Sequence, residues 1–344
     1  MKKTYIYILS ILIIAFGLIT ISLYSVLYSP NTIVKNKNSY VDIPKNTDFD
    51  ALKTLLKPYL KSTSKFSLAS KIKRFHKIYP GRYQIKNKMN NNDLINILRI
   101  GKQVEINVTF NNRNSLKDLA GAVSLYIASD SNSILKTILN QDFLRKNGFN
   151  QQTALLMYVP NTYKMYYNTS PEKFRNKMLK EYHRFWNNQR RAQAKALGLT
   201  PIEVGILASI IQKESTKKEE LPRIAGVYLN RLKKHMLLQA DPTVVFAYQQ
   251  KYGKDIVIKR VLNKHKEVVS AYNTYKNIGL PLGPICMPDQ RSINAVLQPE
   301  KHNFYYFVAD FNKPGYHIFN KNLSGHNRDA GNYHTQLNRQ GIYH

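Results

Sequence analysis

One glutamate, Glu214, has sequence surroundings that could make it a general acid. It lies near the end of TPIEVGILASIIQKES, residues 200–215, and the apolar residues three, four and seven positions before it share its face of a helix. The carboxyl is therefore expected to be partly buried, and desolvation and the negative end of the helix dipole then both raise its pKa. A carboxyl that stays protonated near neutral pH can protonate a leaving group. The alternative is a surface ion pair with Lys213, Lys217 or Lys218.

The helix that carries Glu214 has a recognisable start. Thr200 and Glu203 have the spacing of a capping box, and Pro201 occupies the first helical position. Residues 221–236 follow, and their apolar stripe is typical of a second core helix. Two core helices are thus expected to fix the position of the candidate acid.

Two polar residues lie at the start of the next predicted helix. In LQADPTVVFAY, residues 238–248, Asp241 precedes Pro242 and suits an N-cap. Capping explains Asp241 without any chemistry. The functional alternative is that Gln239 and Asp241 orient sugar hydroxyls from this helix N-terminus.

A loop rich in aromatic and amide side chains could line a saccharide groove. Residues 271–288 read AYNTYKNIGLPLGPICMP, and Tyr272, Asn273 and Tyr275 stand there beside a glycine- and proline-rich backbone. Aromatic rings stack on sugars and amides bond their hydroxyls, although an ordinary structural loop has the same composition.

Three further polar residues and the single cysteine are interpreted as structural. His317, His326 and Asn327 match no familiar metal-site spacing, so neither a metal ion nor a cofactor is expected. Cys286 has no partner for an internal disulfide and is expected to be an unreactive, buried or half-buried thiol.

An apolar segment near the N-terminus predicts on which side of a membrane the rest of the chain lies. Residues 5–28 carry no charge, and at about 1.5 Å per residue such a helix spans a hydrocarbon core of about 30 Å. Because Lys2 and Lys3 precede it, residues 1–4 are predicted to stay in the cytoplasm, with a single-pass plasma (inner) membrane anchor and the C-terminal part in the periplasm or outside the cell. A cleaved signal peptide is the alternative, but the run exceeds the usual core of about 7–15 residues and lacks a small-x-small cleavage pattern.

The charge balance limits the partners. The 344 residues include 52 Lys and Arg against 21 Asp and Glu, which gives a net charge of +31 and attracts polyanions. Since most of the chain is expected outside the cytoplasm, nucleic acid is excluded as a partner. Anionic lipid headgroups and acidic wall polymers remain.

The pattern after the anchor predicts a tether and two α+β parts. Residues 29–40 are polar and aperiodic, residues 41–103 suit a small α+β unit, and residues 104–344 suit a larger mixed α+β domain. The larger domain is predicted to open with a strand over 104–110 and to contain a hairpin over 304–319. Helices are predicted over residues 50–60, 68–76, 94–100 (capped by Asp93 and ended by Gly101), 115–128, 131–140, 171–197 and 200–215.

Four ordered blocks of the chain resemble the YceG-like, or MltG, family of endolytic murein transglycosylases. The blocks are LASIIQKES, AGVYLNRLKKHMLLQADPTVVFAY, AYNTYKNIGLPLGPI and YYFVADFNKPGYHIFNKNLSGHN. The resemblance implies a membrane helix, a LysM-like unit over residues 41–103 and a catalytic domain over 104–344, with Glu214 as the catalytic glutamate. Gln212 stands where many members have a second glutamate, and Leu282 replaces a common proline.

The resemblance also implies a lyase mechanism that needs one carboxyl. Glu214 would protonate the oxygen between N-acetylmuramic acid and N-acetylglucosamine, and would then activate the muramic acid 6-hydroxyl, which leaves a 1,6-anhydro end. The cut would fall within nascent glycan strands, near peptidoglycan synthases, and would limit strand elongation.

Three other interpretations stay open. A membrane-tethered, non-catalytic scaffold could bind peptidoglycan and dock wall synthases, and Glu214 would then be dispensable. A hydrolase could use Asp241 as a second, water-activating carboxylate and would leave reducing ends. A basic membrane-surface protein would have no glycan role at all.

Overall fold

The computed structural model describes residues 2–34, 36, 39–258 and 260–339. The chain divides into two units, each built from helices and short two-stranded sheets. The mixed α+β class predicted from the sequence is confirmed. The first unit comprises residues 1–108, 124–130 and 163–170, and the second comprises 109–123, 131–162 and 171–344.

The N-terminal helix α1 runs over Lys2–Tyr28. Residues 4–28 of this helix are long and apolar enough to cross a membrane, as an anchor or as a signal segment. Its large apolar side chains are mostly exposed, with Ile11 at 65%, as lipid-facing side chains would be. Its last turn is different, because Val26 is buried against the first unit.

The rest of the first unit is an antiparallel two-stranded sheet packed with three helices. Val41 lies opposite Tyr83 in the sheet, and both side chains point into the core beside Leu52, Phe66 and Leu94. The elements in chain order are β1 (Ser39–Ile43), α2 (Phe49–Leu56, continued by a 3₁₀ turn over Lys57–Tyr59), α3 (Thr63–Ile72), β2 (Gly81–Ile85) and α4 (Asn91–Ile100).

Two local predictions for this unit need correction. Asn90, not Asp93, caps α4, because the Asn90 side chain accepts a hydrogen bond from the backbone N–H of Asp93. Gly101 ends α4 in the left-handed conformation, as predicted. Strand β2 was not predicted; it follows Pro80, which indicated only a turn.

The predicted tether over residues 29–40 is wrong for its first part. Pro30 and Thr32 form isolated bridges with Asn90 and Leu60, and Asn31 is buried. The Asn31 amide donates to Asn91 Oδ1 at 2.8 Å. This polar side chain, which indicated a solvated linker, is thus part of a buried hydrogen-bond network.

The second unit is mainly helical. Strands β3 (Glu105–Phe110) and β4 (Asn161–Tyr166) form a two-stranded sheet that the division between the units cuts, because residues 105–108 and 163–166 belong to the first unit. The other elements from residue 111 onward are α5 (Leu116–Ser124), α6 (Ser131–Ile138), α7 (Gln141–Lys146), α8 (Pro171–Phe185), α9 (Asn188–Ala196), α10 (Pro201–Glu214), α11 (Leu221–Lys233), α12 (Asp241–Tyr252), α13 (Asn263–Lys266), α14 (Gln290–Leu297), β5 (Tyr306–Ala309), β6 (His317–Asn320) and α15 (Leu323–Arg339).

Helix α10 forms the centre of this unit. All eight residues from Val204 to Ile211 are buried, and the helix packs against α9, α11, α12 and α14. A helix that is apolar all round must be enclosed on every side. Packing therefore holds the middle of α10 on every side, whereas Lys213 in its last turn is exposed.

The long helix predicted over residues 171–197 is two helices. The chain breaks after α8, and Asn187 starts α9 by accepting a hydrogen bond from the backbone N–H of Arg190. Trp186 is buried at the break, so tertiary packing of the indole stops the first helix. Asparagine is a favoured helix N-cap, so Asn187 is a signal of a new helix that the prediction missed.

The predicted C-terminal hairpin is confirmed. Strands β5 and β6 pair antiparallel with Val308 opposite Ile318, and α15 packs on both strands. Together these elements form one wall of the cavity described below.

Candidate active site

Local sequence signals place Glu214 at the end of α10. The Thr200 hydroxyl accepts from the Glu203 backbone N–H at 3.2 Å, and the Glu203 carboxylate accepts from the Thr200 backbone N–H at 2.7 Å. The predicted capping box is therefore present, with Pro201 at the first position. Glu214 is the last residue of the helix, where the backbone carbonyls disfavour a nearby negative charge.

The Glu214 carboxyl bonds to a tyrosine. The Tyr228 hydroxyl on α11 donates to Glu214 Oε1 at 2.5 Å. Burial raises the pKa of Glu214 to about 7; the Tyr228 bond and the charge of Arg231 oppose the rise, whereas the charge of Asp241 adds to it. Among the described ion pairs none joins Glu214 to a lysine, so the surface-pair interpretation is not what the structure shows.

Two cavities meet at Glu214. One has a volume of about 680 Å³ and the other about 870 Å³, and both are lined by Glu214, Asp241, Arg260 and Val261. Each volume falls within the range of small-molecule sites, about 300–1,000 Å³. A carboxyl with a raised pKa thus lines two cavities that are each large enough for a ligand.

Asp241 faces this site and does not cap its helix. It is the first residue of α12, and the preceding Ala240 makes no side-chain cap. The Asp241 carboxylate instead accepts a hydrogen bond from the Tyr275 hydroxyl at 2.6 Å. Burial and Asp241 raise the pKa of Tyr275, so the phenol stays a proton donor. The capping interpretation of Asp241 is wrong, and its functional alternative remains a hypothesis.

Gln239 lines the larger cavity with a strained backbone. Its φ is 49°, in the left-handed region, and its backbone N–H donates to the Thr274 carbonyl at 3.0 Å. The side chain is exposed, and its Oε1 accepts from Arg231 Nη1 at 3.3 Å. Gln239 and Asp241 therefore lie in one cavity wall, together with Tyr275.

Two residues of the 271–288 loop are structural, contrary to the predicted sugar contacts. Asn273 is fully buried, and its amide donates to the carbonyls of Lys266 and Val268 at 2.8 Å each. Tyr272 is buried against Phe246, with ring centroids 4.8 Å apart. Both side chains are used to hold the loop, so only Tyr275 of the three lines the cavity.

Arg231, a buried arginine in the site, was not among the site residues predicted from the sequence. Arg231 is 7% exposed, and its guanidinium donates to the carbonyls of Tyr305 at 2.6 Å and Leu238 at 2.8 Å. It also lies over the Tyr306 ring, 5.0 Å from the centroid. These bonds join α11 to the chain before α12 and to the hairpin, contacts that a local pattern does not reveal.

The two histidines line the larger cavity in different ways. His317 Nδ1 lies 3.0 Å from Glu220 Oε2, whereas His326 stacks on Tyr306 at 5.4 Å between centroids. Burial, with a further contribution from Arg231, lowers the pKa of His326, which keeps that ring neutral at pH 7. Asn327 lines the same cavity. No group of three or more His, Cys, Asp or Glu residues within the described ranges could hold a metal ion.

The Gln212 side chain bonds α10 to residues 286–289. Gln212 Oε1 accepts from the Asp289 backbone N–H at 2.6 Å, and its amide donates to the Met287 carbonyl at 3.3 Å. Cys286 beside it is buried, as predicted, and burial raises the pKa of its thiol to about 11. Leu282 is 58% exposed, but a side chain at Gly283 would meet the Gln152 carbonyl at 2.4 Å, so close packing holds the loop there.

Comparisons with known proteins agree on one family. A model of the YceG-like family matches residues 41–332. The endolytic murein transglycosylase of Bacillus subtilis is 30% identical over 318 residues, which cover 87% of this chain and 86% of the relative. That of Streptococcus pneumoniae is 34% identical over 145 residues, 42% of this chain and 26% of the relative. A crystal structure of a YceG-like protein from Listeria monocytogenes superposes with a TM-score of 0.56 at 27% identity, over 85% of this chain and 98% of that one.

Proposed function

Because this chain belongs to the YceG-like family, whose relatives are murein transglycosylases, we propose that it cleaves peptidoglycan glycan strands endolytically with Glu214 as the single acid/base. The enzyme class is that of the lytic transglycosylases. The observation that carries the residue assignment is a carboxyl whose pKa burial raises to about 7 at the junction of two cavities.

The first step is proton donation. Since Tyr228 donates to Glu214 Oε1, the acidic proton lies on Oε2. Glu214 gives this proton to the oxygen between N-acetylmuramic acid and N-acetylglucosamine as the bond to C1 of the muramic acid breaks. The leaving sugar departs as an alcohol, and the Asp241 carboxylate in the same cavity wall stabilises the positive charge at C1.

The second step closes a ring. Glu214, now a carboxylate, takes the proton of the muramic acid 6-hydroxyl, and the oxygen attacks C1. The new bond gives a 1,6-anhydro end, restores the protonated acid and consumes no water. Tyr228 keeps the carboxyl oriented in both protonation states, since its hydroxyl donates to either.

The two cavities support cleavage within a strand. An enzyme that cuts internally must bind sugars on both sides of the broken bond, and Glu214 lines two cavities that could each hold part of a strand. Helix α1 supports a plasma-membrane location with the second unit outside. There the enzyme would meet nascent strands and their synthases and would limit strand length; a LysM-like, glycan-binding role of the first unit belongs to the same proposal.

Asp241 supports one competing function. A hydrolase would need a second carboxylate to activate water, and Asp241 lines both cavities with Glu214. The two mechanisms leave different ends: 1,6-anhydro ends from the transglycosylase and reducing ends from the hydrolase.

Product analysis tests the proposal. Full-length protein in detergent, as wild type and Glu214→Gln, is incubated with un-crosslinked glycan strands, and the products are identified by mass spectrometry. We expect anhydro ends from the wild type and a rate about 10³-fold lower from the variant, since general acid–base catalysis contributes about 10²–10⁴-fold. Reducing ends would indicate hydrolysis, and unchanged cleavage by the variant would exclude Glu214 as the acid. Glu219→Gln, a change to an exposed carboxylate nearby, is the matched control.

A further inference from the structure

A second buried carboxyl lies six residues after Glu214 and has no part in the chemistry above. Glu220 immediately precedes α11, and its side chain is 6% exposed. Burying a carboxylate costs free energy unless hydrogen bonds replace its hydration. The partners of Glu220 therefore show how the buried charge is used.

Those partners belong to two separate parts of the chain. Glu220 Oε1 accepts from the His317 backbone N–H at 2.9 Å, and Oε2 lies 3.0 Å from His317 Nδ1. Oε2 also accepts from the Ser215 hydroxyl at 3.3 Å. Ser215 directly follows Glu214 and caps α10, whereas His317 is the first residue of β6. One carboxylate thus joins the end of α10 to the hairpin.

The hairpin supports Glu214 from its other side through aromatic rings. Phe307 on β5 lies edge-on to His317, with centroids 5.2 Å apart, and edge-on to Tyr228 at 5.9 Å. The Tyr228 hydroxyl holds Glu214. Glu220 consequently reaches Glu214 by two routes: along the chain through the residue after Glu214, and across the packed rings.

We propose that Glu220, acting through Ser215 and His317, is a positioning residue that fixes the Glu214 carboxyl for catalysis. The inference rests on the proposed function of Glu214. A displacement of about 1 Å at a catalytic group costs up to about 10²-fold in rate. Since Glu220 bonds protein groups and Glu214 contacts the reacting bond, the loss should appear in kcat and leave KM for glycan strands nearly unchanged.

The test compares two adjacent carboxylates in the full-length protein. Glu220→Gln keeps the size and an acceptor for the His317 backbone but cannot accept from both Ser215 and His317 Nδ1. Glu219→Gln is the matched control, because Glu219 is exposed and bonds the Tyr316 hydroxyl. We expect kcat to fall by about 10- to 100-fold in Glu220→Gln, with KM within about twofold, and wild-type kinetics in Glu219→Gln.

A pair of changes at His317 gives an independent measurement if Glu220→Gln does not fold. His317→Asn retains an N–H donor near the position of Nδ1, whereas His317→Ala removes it. We expect the alanine variant to lose kcat as Glu220→Gln does, and the asparagine variant to recover most of it. A wild-type kcat in His317→Ala, or equal losses in both variants, would overturn the proposal.

The outcomes separate this inference from the proposed function. If Glu214→Gln is inactive but Glu220→Gln matches Glu219→Gln, Glu220 is not a positioning residue and the function stands. A change in KM alone would also overturn the positioning role. If Glu214→Gln remains active, the proposed function fails first, whatever the Glu220 variants do.

Discussion

The site contains two carboxyl–tyrosine pairs at opposite ends of two helices. Glu214 ends α10 and accepts from Tyr228 at 2.5 Å, whereas Asp241 begins α12 and accepts from Tyr275 at 2.6 Å. The partner and the distance are nearly the same. The helix ends are not, because a C-terminus disfavours a negative charge and an N-terminus favours it.

The first pair shows that a hydrogen-bond partner alone does not set the pKa of a carboxyl. Burial raises the pKa of Glu214 to about 7, although the Tyr228 bond lowers it, so a substantial share of the carboxyl keeps its proton near neutral pH. The charge of Asp241 also raises the pKa of Glu214, so the second pair adds to the effect of burial on the first. The two proposed roles, acid for Glu214 and charge stabiliser for Asp241, would thus arise from two copies of one local arrangement.

The largest expected effect concerns stability. Glu214 has a pKa of about 7 in the folded protein against an ordinary 4.5, so its contribution to stability is complete below pH 4.5 and is lost as pH rises through 7. Glu214→Gln, which is neutral at every pH, should therefore be more stable than wild type at pH 8 by up to about 3 kcal/mol, and equal to it at pH 4. Thermal unfolding in detergent at both pH values checks this, and equal stability at pH 8 would contradict it.

The second comparison removes each tyrosine hydroxyl. Tyr228→Phe should lower kcat by about 10-fold, because the acid loses an orienting bond worth about 1–1.5 kcal/mol. It should also move the alkaline limb of the kcat–pH profile to higher pH, since the Tyr228 bond lowers the pKa of Glu214. Tyr275→Phe removes the hydroxyl that donates to Asp241, not a bond to Glu214, and should cost less. If Tyr275→Phe lost more kcat than Tyr228→Phe, catalysis would depend more on the orientation of Asp241 than on that of Glu214.

The smallest expected effect is a shift of the pH profile in Asp241→Asn. Wild-type kcat should fall as pH rises through about 7, when Glu214 loses its proton. Because the charge of Asp241 raises that pKa, its removal should move the alkaline limb to lower pH and reduce the rate at pH 7.5 several-fold. A limb at higher pH would contradict the assignment. Loss of reducing-end products on the same change would instead reveal a hydrolase.

Local patterns predicted the helix that carries Glu214 and the hairpin that lines the same cavity. The capping box at Thr200 and Glu203, the apolar face of α10 and the C-terminal hairpin are all present, because near neighbours in sequence decide them. The apolar residues also predicted correctly that Glu214 is partly buried. Sequence reasoning was therefore strongest where the relevant contacts lie within one or two helical turns.

Contacts between distant residues could not be predicted in the same way. Tyr228 lies in the stretch of residues 221–236 that was predicted as a core helix, yet its hydroxyl bonds Glu214 on another helix. Asp241 was expected to cap α12, but it pairs with Tyr275, 34 residues later. Asn273 has the polar amide of a sugar-binding residue, and only the fold shows that this amide bonds the carbonyls of Lys266 and Val268, just before the loop.

The junction between α1 and the first unit has a mechanical consequence. Val26 is buried, and the Asn91 amide donates to its carbonyl at 2.7 Å, so the last turn of the membrane-crossing candidate is bonded to α4. A flexible tether would let the unit rotate freely above a bilayer. Because this bond fixes α1 to the rest of the first unit, the unit should follow the orientation of the helix. A change in bilayer thickness that tilts α1 would then tilt the unit by a similar angle.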